Sequence, residues 1–196
     1  MLRRLLPPQC SRCGAPTVWA VDRCRECAGR RLAFASARAA VEYAGPARAL
    51  VAAWKEHGLR RAAAVAAELV AEGVAQPTAD VITYIPPHAD RLLRRGHHPA
   101  ESLARELGRR WRLDVQPLLR RKPLGGANRQ ARLARAERAR NVRGVFAAAT
   151  PAIAARVVLV DDVYTTGATV AAAAAALRTA GVERIDVVTF ARTVLD

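Results

Sequence analysis

The chain of 196 residues (21.1 kDa) is 52% hydrophobic and 25% charged, with a formal net charge of +15 at pH 7 and a pI near 11.3. This balance excludes a disordered polypeptide and provides for one substantial core plus a small appendage. Charged residues interrupt every apolar run before the roughly 20 residues needed to span a bilayer, and residues 1–8 hold no apolar stretch of signal-peptide length, so no membrane insertion and a cytoplasmic location are expected.

The positive excess is almost wholly arginine, densest near the N-terminus and between Arg120 and Arg143. A selected basic surface attracts polyanions such as nucleic acid, whereas a coding bias toward Arg and Ala produces the same excess without function; charge alone does not separate the two.

All four cysteines fall in two C-x-x-C pairs, Cys10/Cys13 and Cys24/Cys27, separated by ten residues. Each pair forms a tight turn that aims two thiolates at one point, and two turns complete a closed tetrahedral S₄ shell suited to structural Zn²⁺. Disulfides, a redox pair and an iron site share these ligands, but disulfides need an oxidising compartment. We take residues 1–31 as a four-Cys zinc-binding module and 32–196 as the main domain, with Arg12, Arg23, Arg25, Arg30 and Arg31 decorating the module.

A strand is expected around 32–43, followed by a helix that Pro46 opens and Gly58 closes, with Lys55 in its last turn. Residues 59–73 read as an Ala-rich helix with Val65, Leu69 and Val70 at apolar positions, and 78–85 as a β-branched strand stopped by Pro86-Pro87. Pro99 opens an amphipathic helix through Leu103 and Leu107, and 114–119 is expected as a short strand. The stretch 120–132 is basic, contains Gly and Pro, lacks periodicity and reads as a mobile loop. A helix at 134–142, a buried strand at 157–160, a helix at 169–180 closed by Gly181 and a strand at 185–190 complete the pattern. Strands alternating with helices imply an α/β fold with a mostly parallel sheet covered on both faces, and ligands then bind at the carboxyl ends of the strands. Trp19, Trp54 and Trp111 read as packing residues, and His57, His88, His97 and His98 as surface or pocket-edge residues.

Two places follow strands directly: Pro86-Pro87-His88 and Asp161-Asp162. After the acidic pair the chain turns into a helix through Val163-Tyr-Thr-Thr-Gly-Ala-Thr169. Helix N-terminal amides, a glycine that permits close approach, and the hydroxyls of Thr165, Thr166 and Thr169 form a cradle for a phosphate monoester. The two carboxylates would repel that phosphate, so they face hydrogen-bond donors or a cation: vicinal hydroxyls, or Mg²⁺ held through water. A phosphate next to a diol describes a ribose 5-phosphate. A P-loop is excluded because no Lys accompanies Gly167.

Residues 157–170 resemble the phosphoribosyl pyrophosphate (PRPP) signature of the type I phosphoribosyltransferases. Tyr43-Ala-Gly-Pro46, Lys55-Glu-His-Gly58, Ile85-Pro-Pro87, Arg91-Leu-Leu-Arg-Arg-Gly96, Arg129-Gln130 and Asn141-Val-Arg-Gly-Val-Phe146, behind a four-Cys module, are similar to the ComF family, which is associated with natural competence. The resemblance implies PRPP contacts from Asp161, Asp162, Val163, Tyr164, Thr165, Thr166, Gly167, Ala168 and Thr169, with the acidic pair central to catalysis. It further implies a pyrophosphate loop at Pro86, Pro87 and His88, with either Ile85-Pro86 or Pro86-Pro87 open to a cis bond, and a basic lid carrying Arg121, Lys122, Arg129 and Arg132. Implied cofactors are structural Zn²⁺ and Mg²⁺ bound with PRPP. The expected activity is phosphoribosyl transfer with pyrophosphate as leaving group, in the service of DNA uptake; the other reading is a non-catalytic binder of single-stranded DNA that uses the PRPP site as a sensor, and DNA-uptake proteins are the expected partners of both. Where family members often carry Arg-Gly-Phe-Asn-Gln, this chain has Arg95-Gly-His-His-Pro99.

Overall fold

The computed structural model describes residues 1–59, 61–88, 93, 96–122, 144–149 and 154–194, without the side chain of His57. The helix expected at 134–142 and the lid residues Arg129 and Arg132 lie outside the described residues. Apolar residues on both faces of the strands predict a sheet covered on both sides, and among the described residues four parallel strands form it. In chain order they are β1 (Ser36–Glu42), β2 (Val81–Tyr84), β5 (Arg156–Tyr164) and β6 (Arg184–Arg192), arranged β1-β6-β5-β2.

Alternation along β5 divides the core. Val158 and Val160 face three helices, α1 (Gly45–His57), α2 (Arg61–Gly73) and α3 (Pro99–Trp111), while Val157 and Leu159 face α4 (Ala168–Thr179) and the cysteine-bearing N-terminal segment. Pro46 fixes the backbone at the start of α1, and Gly58 closes the helix in the left-handed region, φ +62°, donating its N–H to Ala53 O. Ala47, Val51 and Trp54 form its buried stripe.

The second helix departs from its expected apolar face at one position, Val65, while Leu69 packs on the core. Ala62, Ala63, Ala66, Ala67 and Val70 are buried, whereas Val65 is exposed. Small alanine side chains let α2 lie close to the sheet and α3, and that close approach places the alanine row, rather than Val65, inward. Trp54 and Trp111 are buried as expected, but Trp19 is exposed.

The strand expected at 114–119 is broken. Val115 makes a single parallel bridge to Ile82; Pro117 then offers no N–H, and the Leu118 amide turns to Thr83 Oγ1 at 3.1 Å. A two-stranded antiparallel ribbon follows, β3 (Leu119–Arg121) with β4 (Phe146–Ala148). Arg120 and Arg121 therefore stand in a strand, and the Lys122 amide bonds Val145 O at 2.8 Å, so the basic stretch is anchored at its start. Among the described residues no helix is long and apolar enough to cross a membrane.

Close packing also fixes Gly108 in α3. A Cβ there would lie 2.6 Å from Val115 Cγ2 and 2.8 Å from Leu113 O. Gly→Ala within a helix ordinarily stabilises by up to about 1 kcal/mol; here Gly108→Ala is expected to destabilise by about 1–3 kcal/mol through overpacking. Urea unfolding of the two proteins measures the sign.

Candidate functional site

The offset between two strands creates the site. Strand β2 ends at Tyr84, opposite Val160, whereas β5 runs on through Asp161, Asp162 and Val163 to Tyr164, still paired to β6 on its other edge. Beyond Val160 one edge of β5 is open, and a cavity of about 310 Å³ forms there. Asp161, Asp162, Val163, Thr165 and Thr169 line it together with Pro86, Pro87, His88 and Arg121, so most of the expected PRPP-contact and pyrophosphate-loop residues share one space. A larger cavity, about 850 Å³, lies at the amino ends of the strands. Its Arg156 and Arg184 are paired to Asp80 and Asp186, each at 2.7 Å, and its Arg38 bonds backbone carbonyls of the cysteine segment, so its charges are already partnered.

Four of the expected PRPP contacts and one lid residue do not line the smaller cavity. Tyr164 is buried beneath the turn, and its hydroxyl has no hydrogen-bond partner among the described residues. Thr166 Oγ1 accepts the Ala168 N–H at 3.3 Å and so tightens the turn before α4. Gly167, at φ +72°, passes directly over the Tyr164 ring, and a Cβ there would overlap the Tyr164 hydroxyl. Ala168 begins α4, and Lys122 is exposed beyond β3. Among the described residues the one cis peptide is Pro7–Pro8, so the turn after Ile85 needs no cis bond. Arg121 Nε instead donates to Pro86 O at 2.9 Å, with its guanidinium 4.6 Å from the Phe146 ring centre, and so holds that turn from β3.

Tyr43, Lys55, His97, His98 and Ala100 also line the cavity. Tyr43 follows β1 directly, so the strand-end rule that selected Pro86 and Asp161 also covers it. Lys55 carried no such signal. Its Nζ lies 2.9 and 2.8 Å from the two carboxylate oxygens of Asp162, a pair 107 positions apart in the chain. His97 Nε2 meets Trp54 O at 2.6 Å, and the His98 ring meets Tyr84 edge to face at 5.3 Å, which fits their expected pocket-edge place.

The acidic pair is electrically unequal. Asp161 is pushed up to about 8, first by burial and then by the charge of Asp162; the Asp162 N–H donated to its Oδ1 at 2.9 Å, Lys55 and Arg121 oppose the shift. Burial is the main influence on His98 and lowers it, against the pull of Glu101. The cavity thus joins a protonatable carboxyl, a carboxylate countered by an ammonium, two threonine hydroxyls and the N-terminal end of α4. Such a set is chemically complementary to a polyhydroxylated phosphate ester.

The cysteines converge independently. All four Sγ atoms lie within 4.8 Å of one another, with Cys10–Cys27 at 3.7 Å and Cys13–Cys24 at 3.4 Å, and no disulfide joins them. An S₄ tetrahedron with bonds of about 2.3 Å has edges near 3.8 Å, so the residues fit zinc. Burial raises Cys10, but amides of Cys13, Arg12 and Cys24 outweigh it and lower the thiol to about 7, and burial pushes Cys13 up.

The family model described as phosphoribosyl transferase domain matches residues 92–193, just over half of the chain. The chain belongs to the phosphoribosyl transferase domain family. Among solved structures, glutamine PRPP amidotransferase from B. subtilis, complexed with ADP and GMP, is similar at 21% identity and a TM-score of 0.43, over 66% of this chain and 25% of that one. The chain thus spans a quarter of that protein's length. TT1426 from Thermus thermophilus is similar at 23% identity and a TM-score of 0.35, over 66% of this chain and 72% of that one. No curated protein matches the chain.

The elevated Asp161 carboxyl predicts how stability varies with pH. Its unfolded value is about 4 and its folded value about 8. Folding therefore takes up a proton between those values: the contribution is fully present below about pH 4 and is lost as pH rises through 8. Asp161→Asn, which keeps an acceptor for the Asp162 N–H, is expected to flatten this decline and to gain about 1–3 kcal/mol on the parent chain at pH 8.5 relative to pH 5. Urea unfolding at the two pH values measures it; a parallel pH dependence in both proteins would refute the assignment.

Proposed function

We propose that the 310 Å³ cavity binds PRPP or another ribose 5-phosphate, and that the chain acts as a ComF-type protein in the handling of incoming DNA. The observation that carries this reading is the meeting of Asp161 and Asp162 with Thr165, Thr169 and the turn 86–88 in one cavity at the carboxyl edge of the sheet. The 5-phosphate sits at the start of α4, where Thr165, Thr169 and the helix amides face it. The ribose hydroxyls turn to the acidic pair, and the pyrophosphate lies along 86–88 near Arg121. Mg²⁺, when bound with PRPP, neutralises pyrophosphate charge and orients the leaving group.

The chain's own residues supply position and charge. Arg121, fixed between Pro86 O and the Phe146 ring, brings positive charge to the leaving-group end. Asp162 and Lys55 hold each other in place and keep the carboxylate oriented toward the cavity. Asp161, protonated at neutral pH in the free protein, donates a hydrogen bond to a ribose oxygen or gives up its proton as a cation arrives. The four cysteines hold one structural Zn²⁺. The net charge of +15 supports contact with single-stranded DNA, which supplies the second reading, a PRPP-sensing DNA binder.

Calorimetric titration with PRPP, with and without Mg²⁺, tests the site. Saturable, Mg²⁺-strengthened binding is expected, weakened at least roughly 30-fold in the folded double variant Asp161→Asn/Asp162→Asn, about 2 kcal/mol or more for two lost polar contacts. No heat on PRPP addition to the parent protein would overturn the proposal. Pyrophosphate release in the presence of an acceptor marks a transferase, and binding without release marks a sensor.

Metal analysis of the purified chain is expected to give one zinc per molecule. Cys13→Ser should lose the metal and lower the melting temperature by several degrees; a metal-free parent chain of the same melting temperature would exclude a structural role.

A further inference from the structure

Two arginines outside the Asp161–Thr169 stretch converge on its turn. Arg192 ends β6 in register with Tyr164 and is 1% exposed, so each of its donors needs a partner. Nη1 donates to Cys13 O at 2.5 Å and Nη2 to Glu26 Oε2 at 2.7 Å, both in the cysteine segment. The same guanidinium lies 4.9 Å from the centre of the Tyr164 ring, over which Gly167 passes in contact. A second route is shorter. Arg30, whose amide bonds Cys27 O at 3.2 Å, donates from Nη2 to Thr166 O at 2.8 Å. The cysteine cluster is thus linked through Arg192 and Tyr164 to Gly167, and through Arg30 to Thr166, adjacent residues of the turn that the proposed function assigns to the 5-phosphate.

We infer that Arg30 and Arg192 are positioning residues through which the four-cysteine module clamps the phosphate turn, so that metal in the module and sugar phosphate in the cavity strengthen each other's binding. The clamp rests on the proposed sugar-phosphate site for its ligand, but its effect on the turn does not. Thr166 and Gly167 must hold their backbone in one conformation, with Gly167 at φ +72°, for the turn to present the start of α4 to a ligand. The carbonyl of Thr166 has its charged donor only while the cysteine segment keeps Arg30 in place. Losing the metal frees that segment, and the turn then samples conformations that do not bind. By thermodynamic reciprocity, ligand in the cavity must retain metal in the module by the same factor.

Arg30→Ala tests the clamp in the zinc-loaded full chain, because Arg30 is partly exposed and its removal leaves the buried Arg192 contacts intact. Titration with ribose 5-phosphate is expected to show affinity weakened about 5- to 10-fold, the loss of one charge-assisted hydrogen bond, with partial recovery in Arg30→Lys. Amide exchange should quicken at Ala168 and Ala171, whose N–H groups bond Thr166 Oγ1 and Gly167 O across the turn, and stay unchanged at 157–160. Saturating ribose 5-phosphate should raise the zinc affinity of the parent protein in equilibrium competition with a chromophoric chelator, by the same factor by which zinc raises its affinity for ribose 5-phosphate, and this effect should shrink in Arg30→Ala. Unchanged affinity together with unchanged exchange at Ala168 and Ala171 would overturn the clamp. Failure of the parent chain to bind ribose 5-phosphate would count against the sugar-phosphate site instead, and the exchange comparison alone would then decide the clamp.

Discussion

Two carboxylates on consecutive residues at the end of a buried strand repel each other and lose hydration together, and the surroundings of the cavity are arranged around that conflict. Asp162 takes the ammonium of Lys55, brought in by the last turn of α1; Asp161 takes the backbone N–H of Asp162 and, at neutral pH, a proton. The left-handed stop at Gly58 ends α1 just beyond Lys55. The stagger between β2 and β5 opens the space into which the acidic pair projects. Hydroxyl donors, or a cation brought in with an anionic ligand, would ease the same conflict.

Local chemistry was legible where it acts within a few residues. Pro46, Gly58 and Pro99 marked helix ends because ring geometry and φ above zero are properties of one residue. The 161–169 stretch was legible because strand, acidic pair and helix start are contiguous, and the cysteine cluster because its ligand spacing is itself the geometry. The Lys55–Asp162 pair was not legible, since only the topology β1-β6-β5-β2 brings the end of α1 over the end of β5. On α2 Val70 is buried and Leu69 packs on the core as expected, and only Val65 turns outward, because hydropathy weighs it above Ala62 and Ala66 whereas close helix approach rewards the smallest side chains. Trp19 is exposed, because a large apolar ring alone does not bring a side chain into a core. The ladder at 114–119 stops at Leu118, whose N–H, the next donor toward β2, goes to Gln116 O and Thr83 Oγ1 instead.

The roles of Tyr164 and Gly167 changed more than their importance. Both sit in the stretch that signals a phosphate site, yet neither faces the cavity. Tyr164 supports the turn from below and Gly167 allows the backbone to pass close over its ring. A motif records every residue a site requires, including those that shape backbone, and only geometry separates them from residues that touch ligand.

The cysteine module shows the same economy at the scale of a domain. Some thirty residues cannot bury enough apolar surface to fold alone, and a metal is one remedy. Here the remedy is shared: Cys10, Cys13 and Cys27 belong to one buried cluster with Leu32, Phe34, Val170, Ala173 and Leu177, so the cysteine turns rest on the same core as α4. Arg192 crosses that junction fully buried, its charge balanced by Glu26 on one side of it and its guanidinium over the Tyr164 ring on the other. A buried arginine is costly unless all its neighbours keep their places. The junction is therefore specific rather than adhesive, and a module held in this way transmits order to the turn it touches.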